Sequence, residues 1–303
     1  MGFLYQILEE KNGGRAAEIT GYEGEVRRLQ IPEKTDGLPV RRIGSHAFAF
    51  RKDIREAVVP SSVEALGSFC FYACPELKRL SLCDSVRDYH DGVIRSCRNL
   101  HEITINFHET GFRLLKDILA DVMTEMDVQI TLPEGEEAVL TFPEYHNEDR
   151  EDTRARAIHS RIIGAGYHYR EMVSRKEIDF RGYDQLFRKA EAECSPSAGR
   201  IALNRLYQPY ELREDAWGQY REYLSLHQRE ILKDLVQDRD RERIQVLLET
   251  VPLTGETVWE AAENARESEQ SELLAVLLEY HREHFGNKKK MTDDSMELSL
   301  EDF

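Results

Sequence analysis

The chain of 303 residues contains no run of 18 or more apolar residues, the length that a membrane-spanning helix needs. Its first ten residues, MGFLYQILEE, lack a basic leader and include two glutamates, so no signal peptide is expected. The five cysteines are odd in number and irregularly spaced, which argues against a disulfide framework and suits a reducing compartment. These absences predict a cytoplasmic protein with no membrane partner.

Positive charge is scarce and unevenly placed. The chain has 41 Lys+Arg against 57 Asp+Glu, a net charge of −16. Residues 1–109 are nearly balanced, with 15 basic and 16 acidic residues, so the remainder, with 26 and 41, carries most of the negative charge. A field of this sign repels phosphate backbones, and nucleic acid is therefore not expected as a partner.

Motifs that mark catalytic or nucleotide-binding sites are also missing. The sequence has no G-x-S-x-G, no P-loop and no dinucleotide-binding glycine pattern. His281 and His284 have a spacing that can hold a metal on a helix, but no third ligand is evident, which favours a charged helix face. We predict no catalytic residue, no metal and no cofactor, although catalytic groups can also come together from distant positions.

What the sequence does contain is a 23-residue repeat between Val40 and Ile105. Segments that begin at Val40, Val63 and Val86 align without insertion. A period in the twenties with apolar residues at constant offsets is typical of a solenoid, whose coils bury their faces only against each other. The matching positions include Ile43/Leu66/Tyr89, Gly44/Gly67, Phe48/Phe71/Ile94, Ile54/Leu77/Leu100, Ala57/Leu80/Ile103 and Val59/Leu82/Ile105.

Segments on both sides extend the solenoid. Residues 3–8 and 16–20 flank an Asn-Gly-Gly turn and predict a β-hairpin that caps the first coil. Residues 111–123 have helical periodicity, and 128–130 are expected to form a last parallel strand. Residues 138–142 then form a hairpin partner that closes the far edge of the sheet.

Each predicted strand alternates inward apolar residues with outward ones. We call the outward set the strand-face residues and predict that they form the binding surface: Arg28, Gln30, Glu56, Val58, Arg79, Ser81, Glu102 and Thr104. Its charged members make an alternating ladder in which each cross-strand pair contributes about 0.2–1 kcal/mol. The ladder either sets the strand register on a solvated face or contacts a ligand. Behind the sheet, Cys74 and Cys97 are interpreted as buried thiols, since no zinc spacing is present.

From residue 146 onward the chain is acidic and its periodicity is helical. The predicted helices are 152–163, 166–174, 181–193, 198–207, 212–237, 241–250, 256–267 and 270–284. A second, 30-residue repeat relates Ile231/Ala261, Leu235/Ala265, Ile244/Leu274, Leu247/Leu277 and Leu248/Leu278. Residues 287–303 are acidic with few, spaced apolar residues; we expect them to be disordered, and the alternative is that they dock into a groove of a partner.

Spaced motifs in the N-terminal part carry a family resemblance. The strings ITGY-x-G, IP, G-x-PV-x2-IG-x2-AF and C-x2-L occur in this order within residues 19–77. Residues 16–107 resemble the BspA-like class of bacterial leucine-rich repeats. That resemblance implies a right-handed coil with one short parallel strand per repeat, and binding through the exposed surface. Many proteins of the class are secreted or attached to a surface, a role that the missing leader does not favour here.

Two further resemblances concern the helical region. Residues 258–280 resemble an ankyrin helix pair, although the usual TPLH start and the glycine between the helices are absent, and the alternative is an independent helical hairpin repeat. The whole combination, with LTFPEY at 140–145, GAGYHYRE at 164–171 and IDFRGYDQLF at 178–187, resembles a group of bacterial leucine-rich-repeat proteins. This second resemblance implies another protein as the partner, with a MoxR-type AAA ATPase or a von Willebrand factor A protein as candidates.

Together these observations predict an α+β protein. A leucine-rich-repeat solenoid with a parallel sheet occupies residues 1–145, an acidic, all-α, ankyrin-like domain occupies 146–286, and a tail follows at 287–303. The predicted function is an intracellular adaptor that binds a protein through the strand face and an acidic groove of the helical domain, and not an enzyme. The alternative is an enzyme of unknown reaction with its site at the domain junction, near His168 and Tyr169.

Overall fold

The structure, a computed structural model, describes residues 2–10, 13–109, 111–152, 157–193 and 197–286. The tail at 287–303, predicted to be disordered, lies outside the described residues. The chain divides into two compact units, one comprising Met1–Ile201 with Gln208–Leu212 and the other Ala202–Tyr207 with the chain from Arg213 onward. The predicted boundary after residue 145 falls inside the first unit.

The described strands all precede residue 164, and most helices follow it. The strands are β1 (Gly2–Glu9), β2 (Arg15–Glu23), β3 (Arg28–Gln30), β4 (Lys34–Thr35), β5 (Leu38–Ile43), β6 (Glu56–Val58), β7 (Ala65–Leu66), β8 (Arg79–Cys83), β9 (Asp88–Tyr89), β10 (Glu102–Asn106), β11 (Met126–Thr131), β12 (Glu137–Phe142), β13 (His146–Asp152) and β14 (Ala157–Ile163). The helices are α1 (Arg113–Asp121), α2 (Gly166–Glu171), α3 (Phe180–Gln185), α4 (Phe187–Ala192), α5 (Ser197–Tyr207), α6 (Glu214–Leu226), α7 (Gln228–Asp238), α8 (Arg241–Thr250), α9 (Gly255–Glu267) and α10 (Ser271–Phe285).

The predicted solenoid is confirmed, and successive coils contribute strands to two sheets. The front sheet has the order β12-β11-β10-β8-β6-β3, and the back sheet has the order β1-β2-β5-β7-β9, with β4 beside β5. Strands of successive coils pair in parallel. Both predicted end hairpins are present, because β1 pairs antiparallel with β2 and β12 pairs antiparallel with β11.

The front sheet keeps the predicted register, with spacings of 23 residues between the inner coils and of 28 and 25 residues at the two ends. Leu29 pairs with Ala57, Ala57 with Leu80, Leu80 with Ile103, and Ile103 with Val128. All five side chains are fully buried. Each coil therefore places one apolar residue directly over its counterpart, and a change of register would move it to the solvated face.

Close stacking of the coils explains the other repeated positions. The Phe48 and Phe71 rings stack with centroids 5.2 Å apart, and both are buried. A Cβ on Gly67 would lie 2.5 Å from the backbone nitrogen of Ser45, so only glycine fits where these coils approach. The buried Cys74 thiol donates to the carbonyl of Phe48 at 3.1 Å, which confirms its interpretation as a core thiol.

The turns of the coils use left-handed backbone at a fixed period. Positive φ occurs at His46, Phe69 and Gly92, and again at Phe50, Ala73 and Ser96, so each set follows the 23-residue period. Only one of these six residues is glycine, although left-handed conformation is unfavourable for residues that carry a Cβ. The stacking of the coils therefore imposes this conformation on residues that would not select it locally.

The predicted helix at 152–163 is wrong. Residues 146–152 and 157–163 form β13 and β14, which pair antiparallel with each other. The β-branched Ile158, Ile162 and Ile163 favour extended backbone. The adjacent run of charges suits a solvated helix as well as a strand, so composition alone does not distinguish them.

A buried arginine ties α2 to the end of the solenoid. Arg170 donates to the carbonyls of Val122 at 3.2 Å, Thr124 at 2.8 Å and Pro143 at 2.5 Å. Its guanidinium also lies over the Tyr145 ring, 4.9 Å from the centroid. Burial lowers the pKa of Arg170 to about 10, so the group still carries its charge at neutral pH.

The second unit contains two helical hairpins, α7–α8 and α9–α10, that match the 30-residue repeat. Their turns have left-handed residues at equivalent positions, Arg239 with φ 58° and Glu269 with φ 57°. The predicted helix at 212–237 is instead broken at His227, whose ring stacks on that of Tyr223 at 4.1 Å. Likewise, the predicted helix at 181–193 is two short helices, α3 and α4.

Candidate protein-binding surfaces

The structure brings all eight strand-face residues together on one side of the front sheet. One row consists of four charged residues, in which Arg28 pairs with Glu56, Glu56 with Arg79, and Arg79 with Glu102. The second row, in the same register, comprises Gln30, Val58, Ser81 and Thr104. None of these side chains is fully buried, so the two rows form one accessible surface.

The predicted charge ladder forms at its first three positions. Glu56 is shared, because one carboxylate oxygen lies 3.3 Å from Nε of Arg28 and the other 3.6 Å from Nη2 of Arg79. Glu102 instead pairs in register with Asp127 of β11, so two acidic positions adjoin and the alternation ends. The row therefore presents its arginines at the β3–β8 end.

Helix α5 closes the other end of the strand face, which the sequence did not indicate. Asp127 and Thr141, which continue the charged row on β11 and β12, are buried. Asp127 accepts a hydrogen bond from Arg200 of α5 at 2.6 Å and another from the Thr141 hydroxyl at 2.8 Å. Ser197, also in α5, donates to Glu125. The charged row is therefore accessible only on β3, β6, β8 and β10, whereas the second row continues to the half-buried Gln129 of β11, the register partner of Thr104.

A row of exposed basic side chains lies along one edge of this face and was missed in the sequence. We call it the edge row; it consists of the residues directly before the four open strands, Arg27, Arg55, Lys78 and His101. The backbone N–H groups of Arg55, Lys78 and His101 each donate to the carbonyl of the preceding member, at 2.7, 2.8 and 3.2 Å. A signal does exist, since 55, 78 and 101 are one repeat position, but these residues lie outside the alternating pattern of the strands.

A cleft of about 930 Å³ adjoins the edge row, and we call it the edge cleft. Its walls are fixed by Arg51, which donates to the carbonyls of Tyr22 at 2.9 Å and Gly24 at 2.7 Å. Arg51 also binds both carboxylate oxygens of Asp53, and Asp53 accepts from the N–H of Val26 at 2.7 Å. The hydrogen bond from Arg51 lowers the pKa of Asp53 to about 2, so the clamp is fully ionised near neutral pH.

The helical unit contains a groove of about 500 Å³ between α8 and α10. Glu249, Glu279 and Glu283 line it, and it is therefore an acidic groove in the helical region. Its wall also includes Tyr280, on which the His284 ring stacks at 4.0 Å. In the part of the chain that the structure describes, no group of three or more His, Cys, Asp or Glu side chains is arranged to hold a metal ion.

The two residues predicted for an enzyme site face different surroundings. His168 is exposed, whereas Tyr169 is fully buried with its ring centroid 4.7 Å from that of Tyr183. Burial raises the pKa of the Tyr169 phenol above its ordinary value. The enzyme alternative stays a prediction that these contacts do not strengthen. Among the described helices, none has the length and apolar character required to cross a membrane.

Comparisons with known proteins concern the solenoid. The chain is similar in structure to a leucine-rich cell surface protein from Faecalibacterium prausnitzii, with 18% identity, a TM-score of 0.24 and coverage of 45% of this chain and 59% of that one. It is also similar to a leucine-rich repeat protein from Bacteroides ovatus, with 15% identity, a TM-score of 0.22 and coverage of 35% and 48%. This chain thus spans less than two thirds of either protein. No curated protein matches it significantly.

Residues 23–117 match six copies of the BspA type leucine rich repeat region, and the N-terminal region is therefore a BspA-type leucine-rich-repeat solenoid.

Proposed function

We propose that this protein is an adaptor that binds another protein through its strand face. The observation that carries the proposal is the open surface of β3, β6, β8 and β10, which presents all eight strand-face residues in two registered rows. Solenoid proteins commonly bind partners on such repeated surfaces. Neighbouring strands lie about 4.8 Å apart and are held by the coils beneath, so binding orders little additional backbone.

The chemistry of the two rows supports a protein ligand. The uncharged row includes Val58, Ser81 and Thr104, which are small and partly buried. The charged row on one side of it provides Arg28 and Arg79. Protein interfaces commonly combine an uncharged patch with charged residues at its margin.

The helical unit provides a second contact surface in this proposal. Its acidic groove lies between two hairpins related by the 30-residue repeat, and we propose that these hairpins are ankyrin-like repeats that serve as a scaffold. A MoxR-type AAA ATPase or a von Willebrand factor A protein is the candidate partner. We also propose a cytoplasmic location, which the buried, unpaired thiols Cys70, Cys74 and Cys97 support. Fractionation of the source cells tests that location.

The test replaces two residues of the uncharged row without changing the net charge. Ser81→Glu with Thr104→Lys places opposite charges at register partners, so the sheet gains a cross-strand pair while its surface changes. The matched control, Thr20→Glu with Ser61→Lys, makes the same exchange at exposed positions outside the strand face. Tagged full-length proteins capture partners from the source lysate, and each captured partner is then purified and titrated.

We expect the strand-face variant to bind its partner at least about tenfold more weakly, a change of about 1.4 kcal/mol, while the control binds as the original chain does. Glu279→Lys with Glu283→Lys examines the acidic groove in the same titration. A partner that binds the strand-face variant with unchanged affinity contradicts the proposed surface. Turnover of a small molecule by the purified chain would favour the enzyme alternative.

A further inference from the structure

The edge row and the edge cleft form a basic region in an acidic chain. Segments 24–28, 51–56 and 75–79 contain seven Lys+Arg and four Asp+Glu residues, whereas the whole chain has a net charge of −16. Two of the four acids are already engaged, since Asp53 binds Arg51 and Glu56 binds both arginines of the strand face. Glu25 and Glu76 remain on the cleft wall. The region therefore retains positive charge after its internal pairs are formed.

The cations of this region are available to a ligand. Within the described residues, Arg27, Lys52, Arg55 and Lys78 form no ion pair, and all four side chains are exposed. Arg27, Lys52 and Arg55 line the same cleft. The clamp between Arg51 and Asp53 fixes the loop that carries the cleft wall, so the backbone positions of these cations are set before a ligand arrives.

The spacing of the edge row selects the shape of the ligand. Its members begin successive paired strands, so their backbones are separated by about 4.8 Å. In an α-helix, residues i and i+3 are about 4.5 Å apart along the axis, because each residue rises about 1.5 Å. In an extended strand, residues on one face are about 6.6 Å apart. Over the four members of the edge row, side chains on one face of a bound helix stay within about 1 Å of the matching edge-row position. Side chains on one face of a bound strand would be displaced by about 5 Å at the last member.

We infer that the edge row and edge cleft bind an acidic helix of the partner protein, one with a stripe of carboxylates at i, i+3, i+7 and i+10. This inference rests on the proposed protein-binding function and names the chemistry of the partner. Charge complementarity selects acidic side chains, and the strand pitch selects a helix. The strand face beside the edge row contacts other parts of the same partner.

The test uses two labelled synthetic peptides and needs no knowledge of the natural partner. Both are Ala/Gln-based peptides of about 18 residues, long enough to form a helix in isolation, and both contain four glutamates. The stripe peptide has the glutamates at i, i+3, i+7 and i+10, and the scattered peptide distributes them around the helix. Fluorescence anisotropy of each peptide is measured against the full chain at low salt and at about 0.15 M salt, since surface ion pairs weaken with ionic strength.

The edge variant is Arg27→Glu, Arg55→Glu and Lys78→Glu. Its matched control is Arg15→Glu, Lys34→Glu and Arg87→Glu, which changes the net charge equally at exposed positions on the side of the back sheet. A milder variant with glutamine at the three edge positions serves if the glutamate variant does not fold. Circular dichroism verifies the fold of each protein.

We expect the stripe peptide to bind the control variant with an affinity within about twofold of that for the original chain. It should bind the edge variant about tenfold more weakly than the original chain, because several surface pairs are lost together. The scattered peptide should bind the original chain about fivefold more weakly than the stripe peptide. Three outcomes would each overturn the inference. The control and edge variants could weaken binding of the stripe peptide equally, the two peptides could bind the original chain equally well, or the stripe peptide could fail to bind. The proposed function is tested separately, because the strand-face variant changes neither the edge row nor the cleft.

Discussion

The solenoid and the α7–α10 hairpins are both built from repeats, but burial follows the repeat much more closely in the solenoid. In the front sheet, Leu29, Ala57, Leu80 and Ile103 are all fully buried. In the hairpins, Leu248 is 7% exposed whereas its repeat mate Leu278 is 41% exposed. A coil inside the solenoid has a neighbour on each side, but α10 is the last described helix and packs mainly on α9. A repeat is thus clearest in sequence where every copy is enclosed.

The same two regions can also be compared at their left-handed residues. In the solenoid, Phe69 adopts this conformation and is packed against its neighbours, although His46, Phe50 and Ser96 adopt it at exposed positions. In the hairpins, Arg239 and Glu269 adopt it at exposed positions. Packing of the ring compensates the backbone strain at Phe69, whereas the exposed Arg239 side chain supplies no such compensation.

The largest expected effect comes from the solenoid core. Phe71→Ala should lower the free energy of unfolding by about 3–5 kcal/mol, because a fully buried ring is removed and a cavity remains. Phe50→Ala, at a ring that is 63% exposed, should cost less than about 1 kcal/mol. Urea unfolding followed by near-ultraviolet circular dichroism measures both. Similar losses in the two variants would contradict the assigned coil packing.

A second pair of variants examines the unequal burial in the hairpins. Leu248→Ala should cost about 2–3 kcal/mol, and Leu278→Ala less than about 1 kcal/mol, although the two residues occupy the same repeat position. The measurement is urea unfolding followed by far-ultraviolet circular dichroism, where the helices dominate. Equal losses of unfolding free energy would indicate that the second hairpin is as enclosed as a solenoid coil. The burial of repeat positions would then not distinguish the two regions.

The ion pair between Arg51 and Asp53 at the edge cleft makes the stability of the solenoid depend on pH. The pKa of Asp53 lies at about 2 in the fold and near 4 when unfolded, so its stabilisation is present above pH 4 and is lost as the pH falls toward 2. Asp53→Asn should remove about 1–2 kcal/mol at pH 7. The difference between the variant and the original chain should shrink below pH 4 and be small by pH 2, where Asp53 in the fold is half protonated. Thermal unfolding at several pH values measures it, and a difference that is constant with pH would refute the assignment.

The smallest effect sharpens the contrast in backbone strain. Arg239→Gly should stabilise the helical unit by about 0.5–1 kcal/mol, because glycine adopts positive φ without a Cβ penalty. Phe69→Gly, at nearly the same φ, should destabilise the solenoid by about 1–2 kcal/mol, since its ring stacks on His46 and lies under the Arg95 guanidinium. Thermal unfolding of each variant gives the sign. Two changes of the same sign would show that packing does not decide the outcome.

Local pattern was sufficient wherever one period governed a whole segment. The 23-residue spacing predicted the strand register, the buried Phe71 and the grouping of all eight strand-face residues, because each coil repeats the same contacts. The pair β13–β14 was missed, because its charged first strand has no apolar alternation to separate it from a solvated helix. The break at His227 was missed as well, since no proline or glycine marks it.

The sequence by itself determined the solenoid, the two end hairpins, the 30-residue helical repeat and the unequal charge of the two halves, because these follow from periodicity and composition. Only the tertiary structure decided where the accessible part of the charged row ends. That limit comes from Arg200 and Ser197 of α5, which reach Asp127 and Glu125 from a distant part of the chain. Such contacts depend on how separate elements pack, and no local pattern of residues encodes them.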